Sequence, residues 1–229
     1  MALGAAIKQA VSWCAPWAVV VRGPAGPERR VALTFDDGPH PENTPRILDT
    51  LDAHGAHATF FVQGNMAHRH PELVRDIAHR GHQVGNHGYA HRDARTLESG
   101  AYIADVLRAQ ATIEDILGQA APRFFRPPYG NVTLRSTLGL LRRRFRFIFW
   151  SLDSRDSFIE DAGSLVTHLE RQPLEAGCIM LLHDDYRHTT EALQDLIALL
   201  RRQNLTSVAL SDLLPGSRPG QPGESTAPS

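Results

Sequence analysis

From residue 31 to residue 211 the chain alternates between two hydrophobic patterns. Short, nearly continuous apolar runs stand at 31–36 (VALTFD), 57–62 (HATFFV), 82–86 (HQVGN), 123–126 (RFFR), 145–152 (FRFIFWSL), 177–183 (GCIMLLH) and 205–210 (LTSVAL). Between them lie amphipathic stretches of helical period, near 44–54, 71–80, 99–118, 133–143, 162–170 and 189–203. Strands apolar on both faces must be covered on both, and helices between them imply parallel pairing. Seven such strands predict an α/β fold, a distorted (β/α)7-type barrel, with an open doubly wound sheet as runner-up. Beyond the alternation no internal repeat is visible.

The flanks read differently. In residues 1–21, MALGAAIKQAVSWCAPWAVVV, Leu3, Ile7, Val11 and Cys14 recur at helical spacing. Lys8, Gln9 and Pro16 interrupt them, so no apolar run reaches the roughly 18 residues of a spanning helix. No basic cluster or clean small-residue cleavage site marks a secretory signal. The expectation is a helix packed on the domain's own flank rather than one lying on a membrane. The location expected is cytoplasmic, with peripheral contact at the inner membrane face as the alternative. The tail 215–229, PGSRPGQPGESTAPS, has a disordered composition. The expected organisation is an N-terminal helix and linker over 1–28, one catalytic domain over 29–214, and the tail.

Charge excludes some partners. Twenty-four basic residues against 25 acidic ones leave no global field for nucleic acid. The runs at 142–144 and 201–202 fall in helical patterns and read as solvated faces. Cys14 and Cys178 each sit in apolar surroundings and are expected as buried free thiols.

The chemistry gathers at strand ends, where parallel α/β folds build their sites. Asp36 and Asp37 end the first strand, Asn86 and His87 the third, Arg126 the fourth, Asp153 the fifth and His183 the sixth. Adjacent carboxylates repel unless a cation, unequal protonation or solvent relieves them. His87 and His91, four apart, would share one face of a helical turn and with a strand-end Asp could hold a metal. The pairs His68/His70, His54/His57 and His79/His82 read as surface or satisfied residues, and Trp150 as core or barrel lining.

TFDDG (34–38), HGYAH (87–91), RPPYG (126–130), DSRD (153–156) and IMLLH (179–183) together resemble the five ordered motifs of the NodB-homology polysaccharide deacetylases, carbohydrate esterase family 4. The resemblance spans about residues 29–214 and implies a distorted (β/α) barrel that removes N-acetyl groups from amino sugars with a divalent metal. It makes Asp37, His87 and His91 the metal ligands, with zinc as the default and cobalt, manganese or nickel as alternatives. It further makes Asp36 the general base, Arg126 its cationic partner, His183 the general acid and Asp156 the group that orients His183. Pro127, the Tyr129 backbone N–H and Leu181 would meet the substrate, the amide at the oxyanion and Leu181 at the acetyl methyl. The implied partner is an N-acetylated oligo- or polysaccharide.

The chain departs from the pattern twice. Ser157 stands where the fourth motif usually has Trp, so an aromatic wall must come from elsewhere, with Tyr89, Phe158 and Tyr186 as candidates. Gly88 replaces a usual Ser or Thr and removes a loop hydrogen bond while sparing the ligands. Two other activities fit the same residues: a deformylase or amidase on a lipid-linked sugar or small amide, and an inactive sugar-binding domain. Intact Asp36 and His183 weigh against the second.

Overall fold

The computed structural model describes residues 18–214. The helix expected from Leu3, Ile7, Val11 and Cys14 and the tail 215–229 lie outside them. Nine strands form one sheet: β1 (Val19–Val20), β2 (Arg30–Asp36), β3 (Ala58–Val62), β4 (Gln83–Asn86), β5 (Phe124–Phe125), β6 (Arg146–Ile148), β7 (Leu152–Asp153), β8 (Ile179–His183) and β9 (Thr206–Ser207). The helices are α1 (Asn43–Ala53), α2 (Gly64–Arg69), α3 (Pro71–His79), α4 (Ser99–Leu117), α5 (Leu134–Leu141), α6 (Ala162–Glu170), α7 (Arg187–Arg202) and α8 (Leu210–Leu213).

All the pairings are parallel, in the order β1-β6-β5-β4-β3-β2-β8-β7, with β9 beside the start of β2. From β2 to β6 each strand neighbours its successor in sequence. A doubly wound sheet would reverse direction in the middle, so that alternative is excluded. The run 145–152, expected as one strand, is two. β6 pairs with β5 and β1, whereas β7 pairs with β8 at the other end of the sheet. The three residues between them cross the seam and curl the sheet into a barrel. There the Phe149 N–H donates to the Val20 carbonyl (2.7 Å) and the Ser151 N–H to the Ile179 carbonyl (3.0 Å).

Three further elements differ from expectation. β1 falls where a helix was expected, because its two β-branched residues gain a ladder beside Phe147 and Ile148. Helices α2 and α8 are too short for their period to show in sequence.

Strand alternation sorts the β2 side chains. Leu33 and Phe35 face the helical layer with Ile47, Leu48 and Leu196. Ala32 faces the barrel interior, where Val20, Phe124, Ile148, Leu210 and Leu213 fill the end near the strand starts. β1 and α8 therefore plug one end with hydrocarbon and leave the carboxyl-end half for polar groups. Cys178 is buried and free, as expected.

Candidate active site

Thr34 and Asp36 continue the inward series of β2 toward its carboxyl end. Arg126, fully buried at the end of β5, meets them there. One of its terminal nitrogens donates to Asp36 Oδ1 (2.8 Å) and Thr34 Oγ1 (2.7 Å). Nε and the other nitrogen donate to the Ile148 and Phe149 carbonyls, each at 3.2 Å. The guanidinium lies 4.3 Å over the Phe61 ring. Burial pulls its pKa down while Asp36 opposes the shift.

Asp37 follows with φ 78, a left-handed conformation that Asp tolerates better than most residues. Simple alternation would turn it away from Asp36; this reversal turns its carboxylate onto the same rim. Its Oδ1 is 3.1 Å from His91 Nε2 and 3.6 Å from His87 Nε2, and it accepts from Gln63 Nε2 at 2.8 Å. HxxxH is not a helical turn as expected but a loop after β4, in which Gly88 (φ 79) and His91 (φ 49) bring the rings to 5.1 Å between centroids.

The donor set fits a divalent cation. One oxygen and two ring nitrogens lie within 4.8 Å of one another. His87 Nδ1–H donates to the Arg126 carbonyl (2.7 Å), which leaves the Nε2 lone pair facing Asp37. Burial holds His91 below the usual imidazole value, opposed by Asp37, which favours the neutral ring that a ligand requires. Burial pushes Asp37 up, but His87, His91, His183 and Gln63 together bring it below the usual carboxylate value.

His183 ends β8, in register with Asp36. Its Nδ1–H donates to Asp156 Oδ1 (2.8 Å) and its backbone N–H to Oδ2 (2.7 Å). Thr189 Oγ1 also donates to Oδ2 (2.9 Å), and His188 Nε2 donates to the Asp156 carbonyl (2.7 Å). Burial works against a charged His183, yet Asp156, then Asp36 and Asp37, raise it to about 9. Burial likewise works against the Asp156 carboxylate, which His183 and Thr189 bring below its usual value.

A groove of about 370 Å³ runs over these groups. Asp36, Asp37, His87, His91, Pro127, Tyr129, Leu181 and His183 line it, while Arg126 and Asp156 stand behind Asp36 and His183. The ten residues to which the resemblance gives a catalytic, substrate or metal role thus fall on one site. Trp150 lines the groove and packs against the hydrophobic core behind it, as the reading of core or barrel lining expects. Of the candidates for the missing wall, Phe158 (80% exposed) and Tyr186 line it. Tyr89 does not: Arg108 covers its ring at 3.6 Å and bonds its hydroxyl. Asp153 stands at the rim and accepts from the Arg155 N–H at 2.8 Å.

Gly88 costs the loop little. Asn86 Oδ1 accepts its N–H (2.8 Å) and Asp105 accepts that of Tyr89 (2.7 Å). His82, expected at the surface or satisfied, is neither. It is buried with Nε2 unbonded, 3.7 Å from Asp52, and burial, followed by His57, lowers it to about 4.

Thr34, Gln63, Thr189 and His188 had no local sequence signal. Neither did Asp184, although it follows His183. It is fully buried beneath Gly38, where a Cβ would collide with its carboxylate, and accepts from Thr44 Oγ1 (2.5 Å). Burial pushes Asp184 up to about 7, partly opposed by Thr44.

A curled parallel barrel with this rim defines a hydrolase of the carbohydrate-esterase class. The sequence profile described as polysaccharide deacetylase matches residues 23–143, and the chain belongs to that family. It is 31% identical over 211 residues to a peptidoglycan-N-acetylglucosamine deacetylase of Bacillus cereus, spanning 90% of this chain and 76% of that one. The peptidoglycan-N-acetylglucosamine deacetylase PgdA of Listeria monocytogenes is 35% identical over 187 residues, 81% of this chain but 39% of PgdA. The crystal structure of the Bc1960 peptidoglycan N-acetylglucosamine deacetylase superposes with a TM-score of 0.82 at 31% identity, covering 89% of this chain and 95% of that one.

Proposed function

We propose that this chain hydrolyses N-acetyl groups on amino-sugar residues of an oligo- or polysaccharide or its precursor. Its catalytic domain is residues 29–214, with β1 added from the preceding segment. The observation that carries the reading is the opposed pair across one groove: Asp36 held by Arg126, and His183 held by Asp156, with Asp37, His87 and His91 between them.

An amide is a poor electrophile. A divalent ion on Asp37, His87 and His91, zinc by default, would supply Lewis-acid polarisation and acidify a water. Asp36 takes the proton of the attacking water, its carboxylate aimed by Arg126. The Tyr129 N–H donates to the developing oxyanion. His183, protonated below about 9, gives its proton to the departing amine nitrogen while Asp156 fixes its other ring nitrogen. Pro127 and Leu181 bound the space for the acetyl methyl. Tyr129 (65% exposed) and Phe158 offer flat apolar faces suited to pyranose rings.

No helix among the described residues is long and apolar enough to cross a membrane. The proposed location is the cytoplasm, with peripheral contact at the inner membrane face as the alternative. The test measures acetate and free amine released from an acetylated chito-oligosaccharide, before and after chelation. Release that stops with chelator and returns with zinc, cobalt, manganese or nickel supports the proposal. Release unaffected by exhaustive chelation sinks it.

A further inference from the structure

One buried acid takes no part in the chemistry proposed above. Asp184 follows His183, is 1% exposed and does not line the groove. It touches no substrate there, so any role in the reaction runs through its neighbours. Its Oδ2 accepts from Thr44 Oγ1 (2.5 Å), while Oδ1 is buried without a hydrogen bond among the described residues. An apolar side chain would fill the same space without stranding a polar atom. The carboxyl group is therefore a costly filler, and what it adds is a set of contacts.

Those contacts fall on the turn that carries Asp37 and on the start of α1 beyond it. The Asp184 backbone N–H donates to the Asp36 carbonyl (3.3 Å). Its carboxyl group lies so close under Gly38 that a Cβ there would collide with both oxygens. Thr44, in the first turn of α1, accepts the His40 N–H (2.7 Å) on the hydroxyl that also holds Asp184. From the other side, Gln63 donates its backbone N–H to the Gly38 carbonyl (2.9 Å) and its side chain to Asp37 Oδ1 (2.8 Å). The turn needs this much holding. Asp37 has φ 78, and such strain in a non-glycine residue persists only where the surroundings over-determine it. If the reversal relaxed, strand alternation would turn the Asp37 carboxylate away from His87 and His91.

We propose that Asp184 is a positioning residue for the ion site. Its carboxyl group, braced by Thr44, backs the turn at Gly38 so that Asp37 keeps its left-handed conformation and faces His87 and His91. The inference rests on the reading of Asp37, His87 and His91 as ion ligands. The role belongs to the shape and hydrogen bonding of the side chain and not to its charge, since an amide still offers Thr44 an oxygen. Groups that orient metal ligands from behind typically contribute about ten- to hundredfold in affinity.

The test is the zinc affinity of the metal-free full-length protein, by competition with a chromophoric chelator, beside its melting temperature without zinc. Expected are a Kd about ten- to hundredfold weaker in Asp184→Ala and within about threefold of the parent in Asp184→Asn. Thr44→Val keeps the volume, removes the brace and should lose about tenfold, and it carries the test if Asp184→Ala does not fold. A lower melting temperature in Asp184→Ala with unchanged zinc affinity would make Asp184 a packing residue only and overturns the inference. So does a loss in Asp184→Asn as large as in Asp184→Ala, or full affinity in Thr44→Val. A parent protein that binds none of zinc, cobalt, manganese and nickel overturns the ligand assignment and the inference with it, an outcome distinct from any difference between parent and variants.

Discussion

Replacing Arg126 by Met should cost the fold far more than a surface arginine would. The unbranched Met side chain keeps apolar contact with Phe61, so the loss is chiefly polar. Thr34 is not orphaned, because its hydroxyl still donates to the Met180 carbonyl at 2.5 Å. Asp36, 3% exposed, loses its cation, and the Ile148 and Phe149 carbonyls lose their guanidinium donor. Breaking a buried ion pair on one side costs about 3–5 kcal/mol. For a chain of this size that lowers Tm by roughly 6–20 °C. Arg126→Met/Asp36→Leu removes both charges and should be more stable than Arg126→Met alone, since no buried ion is left unpaired. The assay is urea unfolding of metal-free protein, so that ion binding does not enter the comparison. Energies of the two single variants that simply add, to within about 0.5 kcal/mol, would refute the coupling.

Asp36→Asn should keep the ion and lose about 10²–10⁴-fold in turnover, whereas Asp37→Asn should lose ion affinity and recover partly with excess metal; equal metal loss in both would make Asp36 a ligand. Because Asp156 raises His183, its acid form persists up to about 9, and the stability it confers is present below the ordinary imidazole value and lost as pH rises through about 9. Asp156→Asn should therefore move the alkaline limb of the pH–rate profile downward, and an unmoved limb would remove His183 as the acid. Phe158→Ala should raise KM for oligosaccharides roughly fivefold, from half the burial of a Phe side chain, with kcat nearly unchanged; an unchanged KM would take Phe158 out of the groove's binding surface.

The rim was legible in the sequence because parallel strands deliver their last residues to one end, so polar groups after VALTF, QVG and IMLL had to gather there. The seam between β6 and β7 was not legible, since FRFIFWSL is apolar apart from Arg146 and Ser151 and only its partners at opposite sheet edges divide it. A spacing of four in NHGYAH fits a helical turn equally well, and a left-handed Gly88 and His91 decide for a loop. Thr34, Gln63 and Thr189 carry no local signal because their partners are distant in sequence.

The seat beneath Gly38 has a consequence for the order in which the molecule is made. The loop carrying Asp37 rests on Asp184, and Thr44, which bonds Asp184, also accepts the His40 N–H at 2.7 Å. All three side chains of the proposed ion site have been synthesised by residue 91, but the shelf under the first of them arrives only with β8. A nascent chain stopped before β8 holds every proposed ligand and the Gln63 contacts to Asp37 and Gly38, but lacks the shelf beneath the turn. Capture of an ion at the proposed site would therefore wait on completion of the barrel by β8 rather than on synthesis of the ligands.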